Sequence, residues 1–377
     1  MEMNYGKTRT WLEVDLKALE ENYRKIREKI DQNADMIVVV KADAYGLGAV
    51  ETARTLERAG CRYFATAYLQ EAVELRESGI QSSILVLGGI LPEEVPVAMK
   101  NRLEVSVSSI ETAEVYGEYA GWEGGELTVH IAADVGMSRF GIRLEEGIIS
   151  AAEEAERIIH TPGICAKGVM THITGMSKPW QREFDLYQLE LFRTFVNELR
   201  KRGYQLMAHC ACSAAVLLYP DYNMDAVRIG ALPFGVQNQL YQDFQVSEVI
   251  QLKSRVWHLK DVPLHATVGY GPHYTERKTR LAVIPVGFGD GLHRSISHRL
   301  EVLIHGQRAR IFGKLCMDFT MIDVTDIKDV RVGDEVVLFG TQNGETVSIQ
   351  EYAEGYGGTA CEVSTSLGKR INRIYVK

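Results

Sequence analysis

The sequence predicts a (β/α)8 barrel followed by a mainly β domain, on three observations. Eight short apolar runs recur over the first two-thirds of the chain, helical segments separate most of them, and the pattern turns strand-like after about residue 243. Strands buried on both faces, as in parallel sheets, read as continuous apolar runs. Eight of them alternating with helices match a closed barrel.

The elements follow in order. Leu16, Leu19, Tyr23, Ile26 and Ile30 recur at helical spacing and predict an amphipathic helix before the first strand. Strand candidates lie at 36–40, 62–66, 83–87, 103–107, 126–132, 165–171, 206–209 and 225–229, with helices at 49–59, 70–78, 109–120, 145–159 and 182–202. Gly60 and Gly79 stand where two helices should end. A doubly wound sheet usually has fewer strands and a Gly-rich first turn, and that turn is missing here. In the second region QLKSRVWHLKDV, RLAVIPVGFGDG, LEVLIHG, ARIFGKLCMDFTMIDV and DEVVLFG read as strands, and Asn343-Gly344 between two such runs predicts a hairpin. The predicted domains are the barrel at 13–243 and a β-domain formed by 1–12 and 244–377.

Composition narrows the function classes. The 377 residues suggest two or three domains, and 46% hydrophobic with 24% charged residues suits a large core. A net charge of -8 argues against a general nucleic-acid surface. No apolar run approaches the ~20 residues needed to span a bilayer. Met1 to Arg9 shows no signal-peptide apolar region. A cytoplasmic location is expected, whether the chain is free or part of a longer parent. The cysteines Cys61, Cys165, Cys210, Cys212, Cys316 and Cys361 form no CxxC pair and are expected to be buried thiols, with no metal site.

A barrel enzyme gathers its active site at the C-terminal ends of its strands. Lys41 follows the first strand, Arg139 lies in the turn after the fifth, His172 ends the sixth, Ser213 follows the seventh, and Arg228, Gly230 and Ala231 end the eighth. A desolvated lysine loses part of its preference for charge, and a neutral amine is the form that makes a Schiff base. Position alone favours a surface lysine at a strand exit. Ser213, Gly230 and Ala231 occupy a part of the barrel where phosphate often binds, and a short helix there would aim N–H groups at an anion. A plain turn glycine and a surface serine explain them as well.

The segments VVVKADAYGLGA (38–49), DVGMSRFG (134–141), GVMTHI (168–173), HCACSAA (209–215), VRIGA (227–231), VGYGPHY (268–274), PVGFGDG (285–291) and GKLCMDFTMIDV (313–324) resemble, in order along nearly the whole chain, the alanine racemase family. The resemblance implies a pyridoxal 5'-phosphate-dependent racemase that interconverts L- and D-alanine. Lys41 would hold the cofactor and act as base on the D-side. Tyr270 would act on the L-side, from the β-domain of the second subunit of a head-to-tail homodimer. Two bases suit the reaction, because a planar carbanion needs a proton partner on each face. A phenol needs help to act as a base at neutral pH, and the family arrangement supplies it through His172 with Arg228 behind. Arg228 would also face the pyridine nitrogen and leave it unprotonated. Tyr45, Ser213, Gly230 and Ala231 correspond to phosphate-binding positions. Arg139 and the backbone N–H of the partner's Met317 correspond to substrate-carboxylate contacts.

The chain also departs from that pattern. Ala132 stands where many members have a carbamylated lysine paired with the arginine, so Arg139, expected in a partly desolvated pocket, needs a chloride, a nearby carboxylate, the substrate itself or a water network beside it. Phe288 replaces a tyrosine, Cys212 an asparagine, and Lys369 a tyrosine that lines the substrate pocket. These changes touch preference for alanine and motivate serine or another small polar amino acid as an alternative substrate. Decarboxylases on a related scaffold normally carry a glycine-rich phosphate loop and a cysteine-bearing C-terminal motif; the loop is absent and CEVSTS (361–366) matches the motif only superficially. Single-domain cofactor carriers lack the β-domain and any counterpart of Tyr270. A non-catalytic regulatory domain finds its support in Ala132, and retention of both bases opposes it.

Overall fold

The structure, a computed structural model, describes residues 9–174, 181–236, 243–297 and 299–377. Residues 1–8 of the predicted second domain lie outside them. The first two-thirds of the chain forms strands β1 (Thr10–Asp15), β2 (Asp35–Val39), β3 (Tyr63–Thr66), β4 (Ser83–Val86), β5 (Glu104–Val107), β6 (Leu127–Asp134), β7 (Ile142–Arg143), β8 (Ile164–Met170), β9 (Met207–His209) and β10 (Ala226–Ile229). Strands β2, β3, β4, β5, β6, β8, β9 and β10 pair in parallel, and β10 returns to β2 to close an eight-stranded barrel.

Side chains alternate across each strand. Val38, Phe64, Ile84, Val105, Val129 and Val227 join the large core shared with the surrounding helices. Ile37, Val39, Tyr63, Ala65, Leu85, Ala132, Met170 and Ala226 form a separate cluster, the barrel interior. The helix expected at 145–159 starts at Ile148, because Gly147 adopts φ +142° and isolates a 3-10 turn at Leu144–Glu146. Helices Val95–Lys100 and Ser213–Leu218 have six residues each, too few for the 3.6-residue period to show in sequence.

The remaining strands are β11 (Ile250–Arg255), β12 (His258–Val262), β13 (Thr279–Ile284), β14 (Glu301–Ile304), β15 (Gln307–Arg310), β16 (Thr320–Asp323), β17 (Glu335–Gln342), β18 (Glu345–Val347) and β19 (Asn372–Val376). One sheet runs β15-β14-β17-β11-β1-β19 with β18 on β17, and another runs β12-β13-β16. The N-terminal strand therefore belongs to the second domain, antiparallel to β11 and parallel to β19. It runs to Asp15, whose carboxylate accepts from the Ala18 N–H at 2.9 Å and caps the first helix, Leu16–Arg27. Asn343 and Gly344, both at positive φ, turn β17 into β18.

The strand-like runs at 280–291 and 309–324 are interrupted where two loops cross at Gly287. A Cβ there would lie 2.2 Å from the Cys316 carbonyl oxygen, so only glycine lets the loops pass. Phe288 and Gly289 donate backbone N–H groups to the carbonyls of Cys316 and Met317. The expectation of buried thiols is corrected: Cys61 and Cys210 are buried, Cys165 is exposed near the start of β8, and the other three are half-buried. Among the described residues no helix is long and apolar enough to cross a membrane.

Candidate active site

A cavity of about 560 Å³ opens at the C-terminal ends of the barrel strands, within the ~300–1,000 Å³ range of small-molecule sites. Lys41, Tyr45, Arg139, His172, Ser213, Arg228, Gly230 and Ala231 all line it, with Ala132 beside them. Five strand ends thus supply the polar groups that the sequence placed there.

Lys41 enters the cavity from an unusual turn. Ala42, Asp43, Ala44 and Tyr45 have φ between +51° and +56°, a full left-handed helical turn made of four non-glycine residues. Each such residue costs roughly 1–2 kcal/mol, so the surroundings must hold the turn in place. The Glu71 carboxylate does part of this, accepting from the backbone N–H of Ala42 at 2.6 Å and of Ala67 at 2.8 Å. Asp43 accepts from the Ala49 N–H at 2.7 Å. The C-terminal segment clamps the exit: Arg373 donates to the Gly46 carbonyl at 3.0 Å and Tyr375 to the Leu47 carbonyl at 3.1 Å. Gly46 is required at φ +85°, because a Cβ would fall 2.1 Å from the Ser364 carbonyl oxygen. Burial, then the charge of Arg139, lowers the Lys41 amine below its usual range. That favours the neutral, nucleophilic form.

Arg228 is buried at the base of the cavity. Its Nη1 donates to His209 Nδ1 at 2.8 Å and to the His209 carbonyl at 2.6 Å, and Nη2 donates to the Thr171 carbonyl. His172 has surface open to the cavity. Enclosure in the barrel mouth, then the cations Arg228, Arg139 and Lys41, push its imidazole down to about 3, so the ring is neutral at physiological pH.

Ser213 opens the helix Ser213–Leu218, and its Oγ accepts from the Gly230 N–H at 3.1 Å. Gly230 has no room for a side chain: a Cβ would lie 2.4 Å from the Tyr45 hydroxyl oxygen. Tyr45, Ser213 and Gly230 therefore form one polar cradle. Ala231 follows at the 3-10 turn Leu232–Phe234.

Arg139 is exposed in the single chain, its guanidinium lies 4.7 Å from the Phe140 ring centroid, and no ion pair to it is found among the described residues.

Tyr270 and Met317 do not reach this cavity. They sit in the β-domain, 59% and 55% exposed. Arg294 lies over both the Tyr270 and Phe288 rings, at 5.7 and 5.5 Å, and Gly289 ties Phe288 to the Met317 carbonyl. Tyr270, Phe288, Arg294 and Met317 thus form one surface patch, with exposed Tyr274 and Phe319 in the same domain. Lys369 is exposed and Cys212 lines the cavity. Sequence reasoning missed Glu71, Arg373 and Tyr375 as supports of the lysine turn. Their partners are 29 to 328 residues away, and no local pattern marks such pairs.

Comparison with known proteins agrees with this geometry. The family profiles "Alanine racemase, N-terminal domain" and "Alanine racemase, C-terminal domain" match residues 14–238 and 249–375. The chain is 35% identical to alanine racemase 1 of Caldanaerobacter subterraneus subsp. tengcongensis, over 97% of this chain and 94% of that one. Among solved structures it is similar to alanine racemase of Clostridium difficile 630, with a TM-score of 0.92 and 31% identity over 98% of this chain and 96% of that one. It is also similar to alanine racemase from Bartonella henselae with covalently bound pyridoxal phosphate, with a TM-score of 0.87 and 26% identity over 98% of this chain and all of that one. By profile, sequence and structure, this chain belongs to the alanine racemase family.

Proposed function

We propose that this protein is an alanine racemase, a pyridoxal-phosphate-dependent isomerase that interconverts L- and D-alanine with Lys41 and Tyr270 as opposing bases. The observation that carries the reading is the cavity itself. It joins a lysine of lowered basicity, a buried arginine and a close-packed polar cradle at the strand ends of a barrel.

The residues present fit the cofactor. Lys41 Nζ would hold it covalently, Arg228 would face its ring nitrogen, and Tyr45, Ser213, Gly230 and Ala231 would receive its phosphate. When bound, pyridoxal phosphate supplies an electron-withdrawing ring system that makes the amino-acid α-proton removable. The Gly230 cradle gives a direct test. A methyl group 2.4 Å from the Tyr45 hydroxyl overpacks the site, and overpacking costs ~1–3 kcal/mol. Gly230→Ala should therefore weaken cofactor affinity about 10-fold or more, read from the visible absorbance on titration with pyridoxal phosphate. Unchanged affinity would remove the phosphate from this cradle.

The chain's own groups then divide the work. Arg139, open at the cavity mouth, pairs with the substrate carboxylate. Lys41 Nζ takes or returns the α-proton on one face. An arginine can only donate hydrogen bonds, so Arg228 keeps the group facing it unprotonated and favours return of the proton to the α-carbon. His172, neutral at physiological pH, can hydrogen-bond the second base and orient it. That base is Tyr270 of a second copy, with the Met317 backbone N–H reaching the carboxylate from the same copy. The exposed patch of Tyr270, Phe288, Arg294 and Met317 supports this: it is a half-site without a cavity, while the barrel holds a cavity without a second base. An isologous head-to-tail homodimer gives each cavity one such patch.

The experiment is turnover of a panel of L- and D-amino acids by the loaded enzyme, followed by chiral chromatography. The expected result is racemisation of alanine with the highest kcat/KM. Preferential turnover of serine would reassign the substrate to the polar variant that Phe288 and Lys369 motivate. Absence of any turnover, with the cofactor bound, would establish a carrier instead.

A further inference from the structure

The barrel interior holds a second polar feature that the racemase reading does not use. Arg228 is 6% exposed, yet no carboxylate contacts it among the described residues. Its Nη1 meets His209 Nδ1 at 2.8 Å. His209 Nε2 meets His130 Nδ1 at 2.8 Å, and His130 Nε2 meets Glu104 Oε2 at 2.8 Å. Glu104 also accepts from Lys167 Nζ at 2.6 Å and from the Tyr63 hydroxyl. The residues come from β10, β9, β6, β5, β8 and β3, so the chain crosses the barrel from the cavity floor toward its opposite end.

The direction of every bond is fixed. A guanidinium can only donate, so His209 Nδ1 accepts and its proton sits on Nε2. That proton is given to His130 Nδ1, which places the His130 proton on Nε2, where it is given to Glu104. Both rings are therefore neutral single tautomers, and the only anion in the chain lies two imidazoles away from Arg228. A buried guanidinium without compensation is costly, and hydrogen-bond chains in a low-dielectric interior polarise one another.

We propose that Glu104, His130 and His209 are positioning residues for Arg228, a one-way hydrogen-bond chain that supplies its distant counter-charge and fixes the guanidinium toward the cavity. The local sequence is built for it. Both imidazoles are 0% exposed. Gly168 leaves room for the His130 ring, since a Cβ there would lie 2.3 Å from its Nδ1. Burial alone would raise the Glu104 carboxyl, but hydrogen bonds from His130, Lys167 and Tyr63 hold it down to about 2. Burial, outweighing Glu104, lowers the His130 imidazole, and burial, then Arg228, His130 and Lys167, lowers that of His209. The charged and titratable groups around the chain are thus Arg228, Lys167, Glu104, Tyr63 with Asp35 near it, and, near Arg228, Cys210, Cys212 and Arg139.

The link to catalysis rests on the racemase reading, whereas the tautomers do not. The test therefore has two arms. In the first, imidazole ¹⁵N NMR of the unsubstituted protein should show two histidines locked neutral, protonated on Nε2 and not titrating between about pH 5.5 and 9. A His130 or His209 ring protonated on Nδ1, or titrating in that window, would overturn the chain. In the second, Glu104→Gln removes the charge and Gly168→Ala displaces the His130 ring while leaving the charge in place. Each should lower kcat for alanine about 10-fold with KM within about twofold, because Arg228 acts on the reacting centre and Arg139 on binding. Each should also shift the pH dependence of the bound cofactor's visible band. If folded, cofactor-loaded variants keep both kcat and that pH dependence, the positioning role is wrong even if the tautomers are right. If the unsubstituted protein shows no turnover, the racemase reading fails, and the NMR arm still decides the chain.

Discussion

Lys41→Ala should abolish racemisation in both directions, with kcat falling about 1,000-fold or more. The expectation follows from two duties on one atom. Covalent attachment places the cofactor, and general acid-base catalysis alone is worth about 10²–10⁴-fold. The structure gives the substitution a specific meaning, because the backbone of the lysine turn is held from outside the side chain. Glu71, Asp43, Arg373 and Tyr375 all bond to main-chain groups next to Lys41. The variant should therefore fold, keep the cavity and lose the visible band that survives gel filtration in the parent enzyme. Near-normal turnover in the purified variant would refute the assignment of Lys41.

Tyr270→Phe should cost about 100- to 10,000-fold in kcat for the same acid-base reason, and its remedy is more informative than the loss. Mixed with Lys41→Ala subunits, it should regain activity. A heterodimer has one site with both Lys41 and Tyr270 intact and one with neither. Random exchange at equal concentrations should restore about a quarter of the normal sites. Recovery that depends on mixing requires Tyr270 to act across the dimer. No activity above that of either parent, with subunit exchange demonstrated, would place Tyr270 outside the partner's site. The exposed patch around Tyr270 gives the physical reason to expect recovery, since exposed aromatic clusters on a folded domain mark interaction surfaces.

The barrel was legible because its strands are covered on both faces. Runs such as MIVVV keep no polar side to confuse the pattern, and the strand ends then point to the residues around the cavity. The lysine turn was not legible. Ala42-Asp43-Ala44-Tyr45 has no glycine, and local preference for a right-handed or extended backbone is overridden by contacts with β19, more than 300 residues on. The polar chain beneath Arg228 was hidden for a different reason. His130 and His209 are single inward positions in apolar strands, and only the closed barrel shows that they meet.

Racemisation with one base on each face is tested most directly by initial-velocity conversion of L-alanine in D2O, with isotope and configuration read together by chiral chromatography and mass spectrometry. Two bases predict D-alanine that carries deuterium at the α-carbon from the first turnovers, while the remaining L-alanine keeps its protium. The proton leaves to one base and its replacement comes from the other, which has exchanged with solvent. D-alanine that retains the original protium would contradict the two-base assignment, and alanine that stays wholly L would contradict the racemase itself.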